Sequence, residues 1–477
     1  MRIVNRALAA AVAVCIAAVP LGQAHADGGP AGGTAAGSHA GSHEGSIDGA
    51  PYRIEVPDDW NGTLVLFSHG YYLADYLPEG VQLAAYESTE RWLLEHGYAL
   101  AASEYKGRGP GYAVEDALVD QMALLRHFEK KIGKPRRTLS TGMSQGAAIA
   151  GQLAERHPGT FAGTAGMCSE VDTPASWNTA LDVLYVVKTL LAPEADIDLV
   201  RPTGPETAAG DAAALAAAVS AARGTEEGRA RLALAGAIAN IPTAYSPFEP
   251  APTDLAGRIA AQSVWIETGY AQGLGPTGRL DLEARAGGNP SWNTGVDYRA
   301  QLARAHPELR ALAEEAYGAA PAADLDADLA ALAGPERVGA DRRAVAYTKR
   351  HGLVRGTTST PTVTLHTTGD GGALADQVGN WAEQVAAHRD APFRQLYVER
   401  GGHCSYTSAE EIVTLVALDR KVATGRWGNL TPERLDATVG SFGPEYQEAF
   451  DFGTGGAKPV DPAFTEFTPP QALRPTR

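Results

Sequence analysis

With 477 residues and a formal charge of −16, the chain is too long for one ordinary domain. It is also too acidic to hold a nucleic acid or an anionic membrane surface through charge. Of its three cysteines, Cys15 lies in an N-terminal leader-like stretch, and the other two, Cys168 and Cys404, make an even count that permits one disulfide in an oxidising compartment.

Residues 1–26 read as a secretory signal peptide. Arg2 and Arg6 give a basic start, Ala7 to Pro20 is almost wholly apolar, and Ala24-His25-Ala26 is an A-x-A cleavage site. A secreted chain beginning near Asp27 is expected. The apolar run falls short of the roughly 20 residues a membrane span needs, so no membrane anchor is expected. Residues 27–50 are rich in Gly, Ala, Ser and His with little to bury, and are expected to be a flexible linker.

From Pro51 the pattern becomes periodic. Tyr52–Val56 alternates as a strand does, and Leu64–Phe67 is a continuous apolar run. A helix is expected from Tyr86 to Glu95, a strand from Tyr98 to Ala102, and a helix from Ala117 to Lys131. A strand at Thr138–Thr141, a helix at Ala147–Arg156 and a strand at Phe161–Met167 follow. Strands alternating with helices imply an α/β fold, a doubly wound and mainly parallel sheet. The alternation stops near Glu170. Residues 173–355 hold long Ala-rich helical stretches and read as a large helical lid inserted between two parts of the core, 51–172 and 356–440. The strand pattern resumes at Thr362–His366, with a helix over Ala375–His388 and a strand over Phe393–Val398. Residues 441–477 are Pro- and Gly-rich and are expected to form an extended tail.

Gly142-Met143-Ser144-Gln145-Gly146 falls between a strand and a helix, the context in which G-x-S-x-G becomes a nucleophile elbow. A serine hydroxyl needs a base within hydrogen-bond reach. His403, in the tight loop Gly401-Gly402-His403-Cys404 just past a strand end, is the best placed of the twelve histidines. Asp370, also just past a strand end, is the leading carboxylate to orient it, with Asp376, Glu170 and Asp172 as alternatives. The backbone N–H of Gln145 and of Tyr71, in the Ser68-His69-Gly70-Tyr71 loop, would hold an oxyanion. Ser-Trp-Asn-Thr occurs at 176–179 and again at 291–294, each followed by an acid, Asp182 or Asp297. The plain reading is two helix starts with capping boxes. The sharper one makes Trp177 and Trp292, with Tyr72, the lining of a substrate cleft. No C-x-x-C or H-E-x-x-H pattern marks a metal site, and no metal or cofactor is expected.

In these motifs and their order the chain resembles the α/β-hydrolase superfamily of serine esterases, lipases and peptidases over about 51–172 and 356–425. The resemblance implies the α/β-hydrolase fold, Ser144 as nucleophile, Asp370 as acid, His403 as base, and Tyr71 and Gln145 as oxyanion donors. It also implies the position of the lid. Relatives of the tannase and feruloyl esterase kind bond a cysteine beside the histidine to one beside the serine. Here Met143 precedes the serine, and Cys168 offers a substitute partner for Cys404. A secreted carboxylic ester hydrolase acting on a small or polymeric ester is therefore expected. The alternative is a serine peptidase or aminopeptidase with the same triad, although the Gly/Pro-rich oxyanion loop of exported aminopeptidases is missing.

Overall fold

The computed structural model describes residues 40–72, 78, 80–106, 111–334, 337–388, 391–451 and 454–476. The expected signal peptide and its cleavage site lie outside the described residues.

Nine strands form one sheet in the order β1-β2-β4-β3-β5-β6-β7-β8-β11. They are β1 (Gly41–Ile47), β2 (Ala50–Val56), β3 (Thr63–Ser68), β4 (Ala99–Ser103), β5 (Arg137–Met143), β6 (Gly163–Met167), β7 (Thr362–Gly369), β8 (Phe393–Gly401) and β11 (Phe464–Thr465). β9 (Glu448–Asp451) and β10 (Gly456–Pro459) pair separately. From β4 through β8 the ladder is parallel, and the antiparallel strands stand at the two edges. All residues of β3 and β4 are buried, as a strand covered on both faces requires. The helices Glu87–Glu95, Val114–Lys131, Gln145–Arg156, Ala375–His388 and Ser408–Thr424 flank the sheet.

Three sequence expectations are corrected. Residues 41–50 are not linker, because Gly41–Ile47 is an edge strand paired residue by residue with β2, while residues 27–39 of the expected linker lie outside the described residues. Its side chains are exposed or half-buried, so no apolar pattern marks it. The ladder is made by backbone groups, and the overlooked signal is Asp48-Gly49, both at positive φ as a two-residue hairpin demands. The stretch after Gly440 is also more than an extended tail. It contributes the β9–β10 hairpin and lays β11 on the edge of the sheet. Neither Ser-Trp-Asn-Thr repeat opens a helix. The first lies inside the helix Thr173–Leu191, which Asp172 caps through Ala175 N–H with Pro174 in the first turn. In the second, Asp297 is itself the cap, accepting from Ala300 N–H at 3.0 Å.

Between β6 and β7 the chain is helical, from Thr173–Leu191 to Arg342–His351. This block has a core of its own, in which Leu181, Leu184, Leu215, Leu234, Ile238 and Leu312 are buried together. The C-terminal residues tie it to the sheet domain. Arg474 pairs with Asp182, donates to Trp292 O at 2.7 Å and lies over the Trp292 ring, and Thr476 N donates to Asp172 Oδ2 at 2.8 Å. The Asp182 side chain is fully buried, and its other partners, Tyr298 and Gln301, are uncharged. Arg474→Ala would leave that carboxylate uncompensated. It is expected to destabilise the protein by roughly 3 kcal/mol, read as a lower midpoint in urea with an unchanged slope.

Candidate active site

At the end of β5 the chain turns into the helix Gln145–Arg156 with Ser144 at the corner, φ 54° and ψ −124°. Such a φ costs a non-glycine residue free energy and is held by its surroundings. Ser144 N donates to Met167 O at 2.8 Å, and Ser144 O accepts from Ala147 N and Glu170 N. The two glycines of the motif are sterically obligatory. A Cβ on Gly142 would lie 2.1 Å from Gly146 O, and one on Gly146 would lie 2.0 Å from Ser68 O. Ser144 therefore projects from the helix N-terminus, where free N–H groups and the helix dipole favour negative charge.

Ser144 Oγ lies 2.9 Å from His403 Nε2, and His403 Nδ1 lies 2.8 and 3.0 Å from the two carboxylate oxygens of Asp370. Asp370 Oδ1 also accepts from the N–H groups of Gly372 and Ala373, which fixes the carboxylate below the imidazole. These bonds place the proton on Nδ1 and make Nε2 the acceptor for Ser144. Gly372 must be glycine, since a Cβ there would press on the His403 ring at 2.9 Å.

The loop carrying His403 is held on both sides. Thr367 Oγ1 donates to Gly402 O at 2.6 Å. Arg400 makes a two-pronged, buried pair with Glu410 and also donates to Ser405 O. Cys404 is disulfide-bonded to Cys168 across 236 residues, with Cα atoms 5.1 Å apart. Both cysteines adopt positive φ, 40° and 58°, so with Ser144 at φ 54° three strained residues stand together at this site.

Ahead of the elbow, His69 is buried and stacked between Tyr72 and Tyr105 at 4.2 and 4.1 Å. Burial pushes its pKa down to about 4, so it is neutral, with Nδ1 2.8 Å from Gly70 O. This holds the loop against the elbow, where a Cβ on Gly70 would come within 3.1 Å of Ser144 Cβ. Tyr71 and Gln145 both line the cavity into which Ser144 opens.

That cavity has a volume of about 140 Å³ and mostly apolar walls. Tyr71, Tyr112, Trp177, Tyr245 and Trp265 supply aromatic surface, and Glu170 and Asp451 are carboxylates in the wall. Of the three cleft residues expected from sequence, only Trp177 lines it. Tyr72 is turned onto His69 and donates to Gln82, while Trp292 lies under Arg474, beside a separate hollow. Trp177 is fixed from behind by the buried Arg279, which donates to its carbonyl at 3.1 Å and stands 5.3 Å from its ring centroid. Sequence reasoning missed Trp265, Thr268 and Gly269. They lie on a π-helical stretch, Trp265–Gly273, closed by the wide-ring bond from Leu274 N to Gly269 O. Such wide turns often occur at functional sites.

The two other carboxylates after β6 and the one after Asp370 have different settings from Asp370. Asp172 caps the lid's first helix. Asp376 is buried near Asp172, and burial first and that neighbour second push its pKa up to about 8. Glu170 accepts from the hydroxyls of Thr173 and Ser176 at 3.1 and 2.9 Å, and burial raises its pKa to about 7.

The strand order, the strained elbow and the helical insertion between β6 and β7 are those of the α/β-hydrolase fold. Within known proteins, the chain is 27% identical over 417 residues to o-phthalyl amidase of Xanthobacter agilis, covering 82% of this chain and 89% of that one. No family model matches it. Among solved structures, epoxide hydrolase A from Mycobacterium thermoresistibile aligns over 79% of this chain and 97% of that one, at 15% identity and a TM-score of 0.34. Feruloyl esterase B from Aspergillus oryzae aligns over 80% and 79%, at 12% identity and a TM-score of 0.39.

Proposed function

We propose that this chain is an exported serine hydrolase that cleaves small carboxylic amides and esters through an acyl-enzyme on Ser144. The observation that carries the reading is the line Ser144 Oγ–His403 Nε2, His403 Nδ1–Asp370, ending in a cavity of about 140 Å³ walled by aromatic rings. A void of that size takes roughly one benzene ring.

In the reaction, Ser144 Oγ attacks the acyl carbon as its proton passes to His403 Nε2. Asp370 keeps the Nδ1 proton in place and balances the imidazolium. The N–H groups of Tyr71 and Gln145 receive the oxyanion at the helix N-terminus. His403 then hands its proton to the departing amine or alcohol. Water, deprotonated by the same imidazole, releases the acid and restores Ser144. The amidase relative supports including amides beside the esters that the motifs alone suggest. The compact cavity weighs against polymeric or long-chain substrates and against a peptidase, which must admit an extended chain. Export is supported by the basic-then-apolar N-terminus and by the Cys168–Cys404 bond, since disulfides persist in oxidising compartments.

A fluorophosphonate probe is expected to label the protein once, on the peptide containing Ser144. The p-nitrophenyl ester and p-nitroanilide of benzoic acid should turn over, and p-nitrophenyl palmitate should not. Labelling elsewhere, or a preference for palmitate, would refute the reading.

A further inference from the structure

Glu170 has no part in the acyl transfer just described, yet it shares the cavity wall with Ser144 and His403. It follows directly on the end of β6, and its backbone N–H is bonded to Ser144 O, so it is anchored to the elbow itself. Its two oxygens are aimed by separate donors, Thr173 Oγ1 and Ser176 Oγ, both in the first turns of the lid. Ser176 Oγ in turn accepts from Gln377 Nε2 at 2.8 Å, and Tyr112 OH bonds Thr173 Oγ1. A carboxylate used only to cap the lid helix would not need such a frame, because Asp172 already caps it. Asp451 adds a second carboxylate to the same wall, and among the described residues no Lys or Arg lines the cavity.

Resting on the hydrolase reading above, we propose that Glu170 is the specificity residue of this cavity, admitting uncharged or cationic single-ring acyl groups and rejecting anionic ones. An anionic acyl group would enter an apolar space in which its nearest charged neighbours are carboxylates, where repulsion is weakly screened. A cationic group would find a paired charge. This sets the chain apart from the acyl group in its amidase relative's name, because a phthalyl group carries a second carboxyl beside the bond to be cut.

The test uses the full-length protein and the methyl esters of three acids, which give benzoyl, 2-carboxybenzoyl and, as the cationic ester, 4-(aminomethyl)benzoyl groups. Assays run at pH 8.5, above the value of about 7 to which burial raises Glu170, so that its charge is present. Wild type is expected to prefer the benzoyl over the 2-carboxybenzoyl ester by at least about tenfold in kcat/KM. Glu170→Gln should cut that ratio by at least about fivefold and lose rate on the cationic ester, while Glu170→Asp should keep the wild-type order. If Glu170→Gln fails to fold, the wild-type order decides alone. A wild type that takes the 2-carboxybenzoyl ester best, or a Gln variant with an unchanged ratio, would overturn the proposal. Failure of the underlying hydrolase reading looks different, since no ester would turn over and Ser144 would resist the phosphonate.

Discussion

Ser144→Ala should lower kcat/KM on the benzoyl ester by about 10⁴- to 10⁶-fold with its melting temperature unchanged. The effect is large because the hydroxyl is the only atom changed and the attack needs it. Alanine fills the same corner, and the elbow is held by Gly142, Gly146 and the backbone bonds of Ser144, none of which the substitution touches. His403→Ala should cost about as much, and the double variant scarcely more, because nucleophile and base act as one unit. Asp370→Asn is expected to lose about 10⁴-fold: an amide offers Nδ1 a donor as well as an acceptor and favours the wrong tautomer. Additive losses, or a Ser144→Ala enzyme keeping a tenth of its rate, would remove Ser144 from the chemistry.

Breaking the Cys168–Cys404 bond is expected to produce the largest loss of stability. The bond closes a loop of 236 residues, for which the chain-entropy estimate is about 5 kcal/mol. Replacing both cysteines with alanine avoids a free thiol and should lower the urea midpoint accordingly. Activity should fall too, because Cys404 follows His403 directly and its sulfur lies 3.5 Å from His403 Nε2. With the tether gone, the loop keeps only non-covalent holds, among them the Thr367 bond, the Arg400–Glu410 pair and the His403–Asp370 contact. Wild type treated with reductant should lose activity and stability together, whereas the Ala/Ala variant should be insensitive to it. A variant as stable and as active as wild type would show that packing alone positions the loop.

The central strands and the elbow were legible because their signals are local: continuous apolar runs, a strand-to-helix switch, and glycines whose places no other residue can take. Asp370 was a choice among neighbours that sequence could rank and not decide. What separates it from Asp376 is a turn in which the Gly372 and Ala373 amides meet one carboxylate, while Asp376 is buried beside Asp172. β1 was missed because an edge strand is made by backbone bonds that polar residues make equally well. The cavity walls were mostly illegible. Tyr245, Trp265 and Leu274 lie far along the chain from Ser144 on a block without motifs, and an aromatic residue in a helical stretch reads as ordinary core. Trp177 and Trp292 share a tetrapeptide and have opposite fates, because one is locked toward Ser144 by Arg279 and the other lies beneath Arg474.

The lid's insertion between adjacent strands bears on the order in which the molecule assembles. β6 and β7 are side by side, and the hydroxyls of Thr164 and Thr360 meet at 3.4 Å across 196 residues of chain. Bringing such distant ends together from an open coil costs on the order of 5 kcal/mol before any contact repays it. A lid that collapses early around its own core removes much of that cost, since its two ends then leave side by side at the Asp172–Leu353 bridge. Asp370 and His403 both follow β7, so they reach Ser144 only after this long-range closure. The Ser144 elbow can form first, before the two side chains that line up behind it arrive.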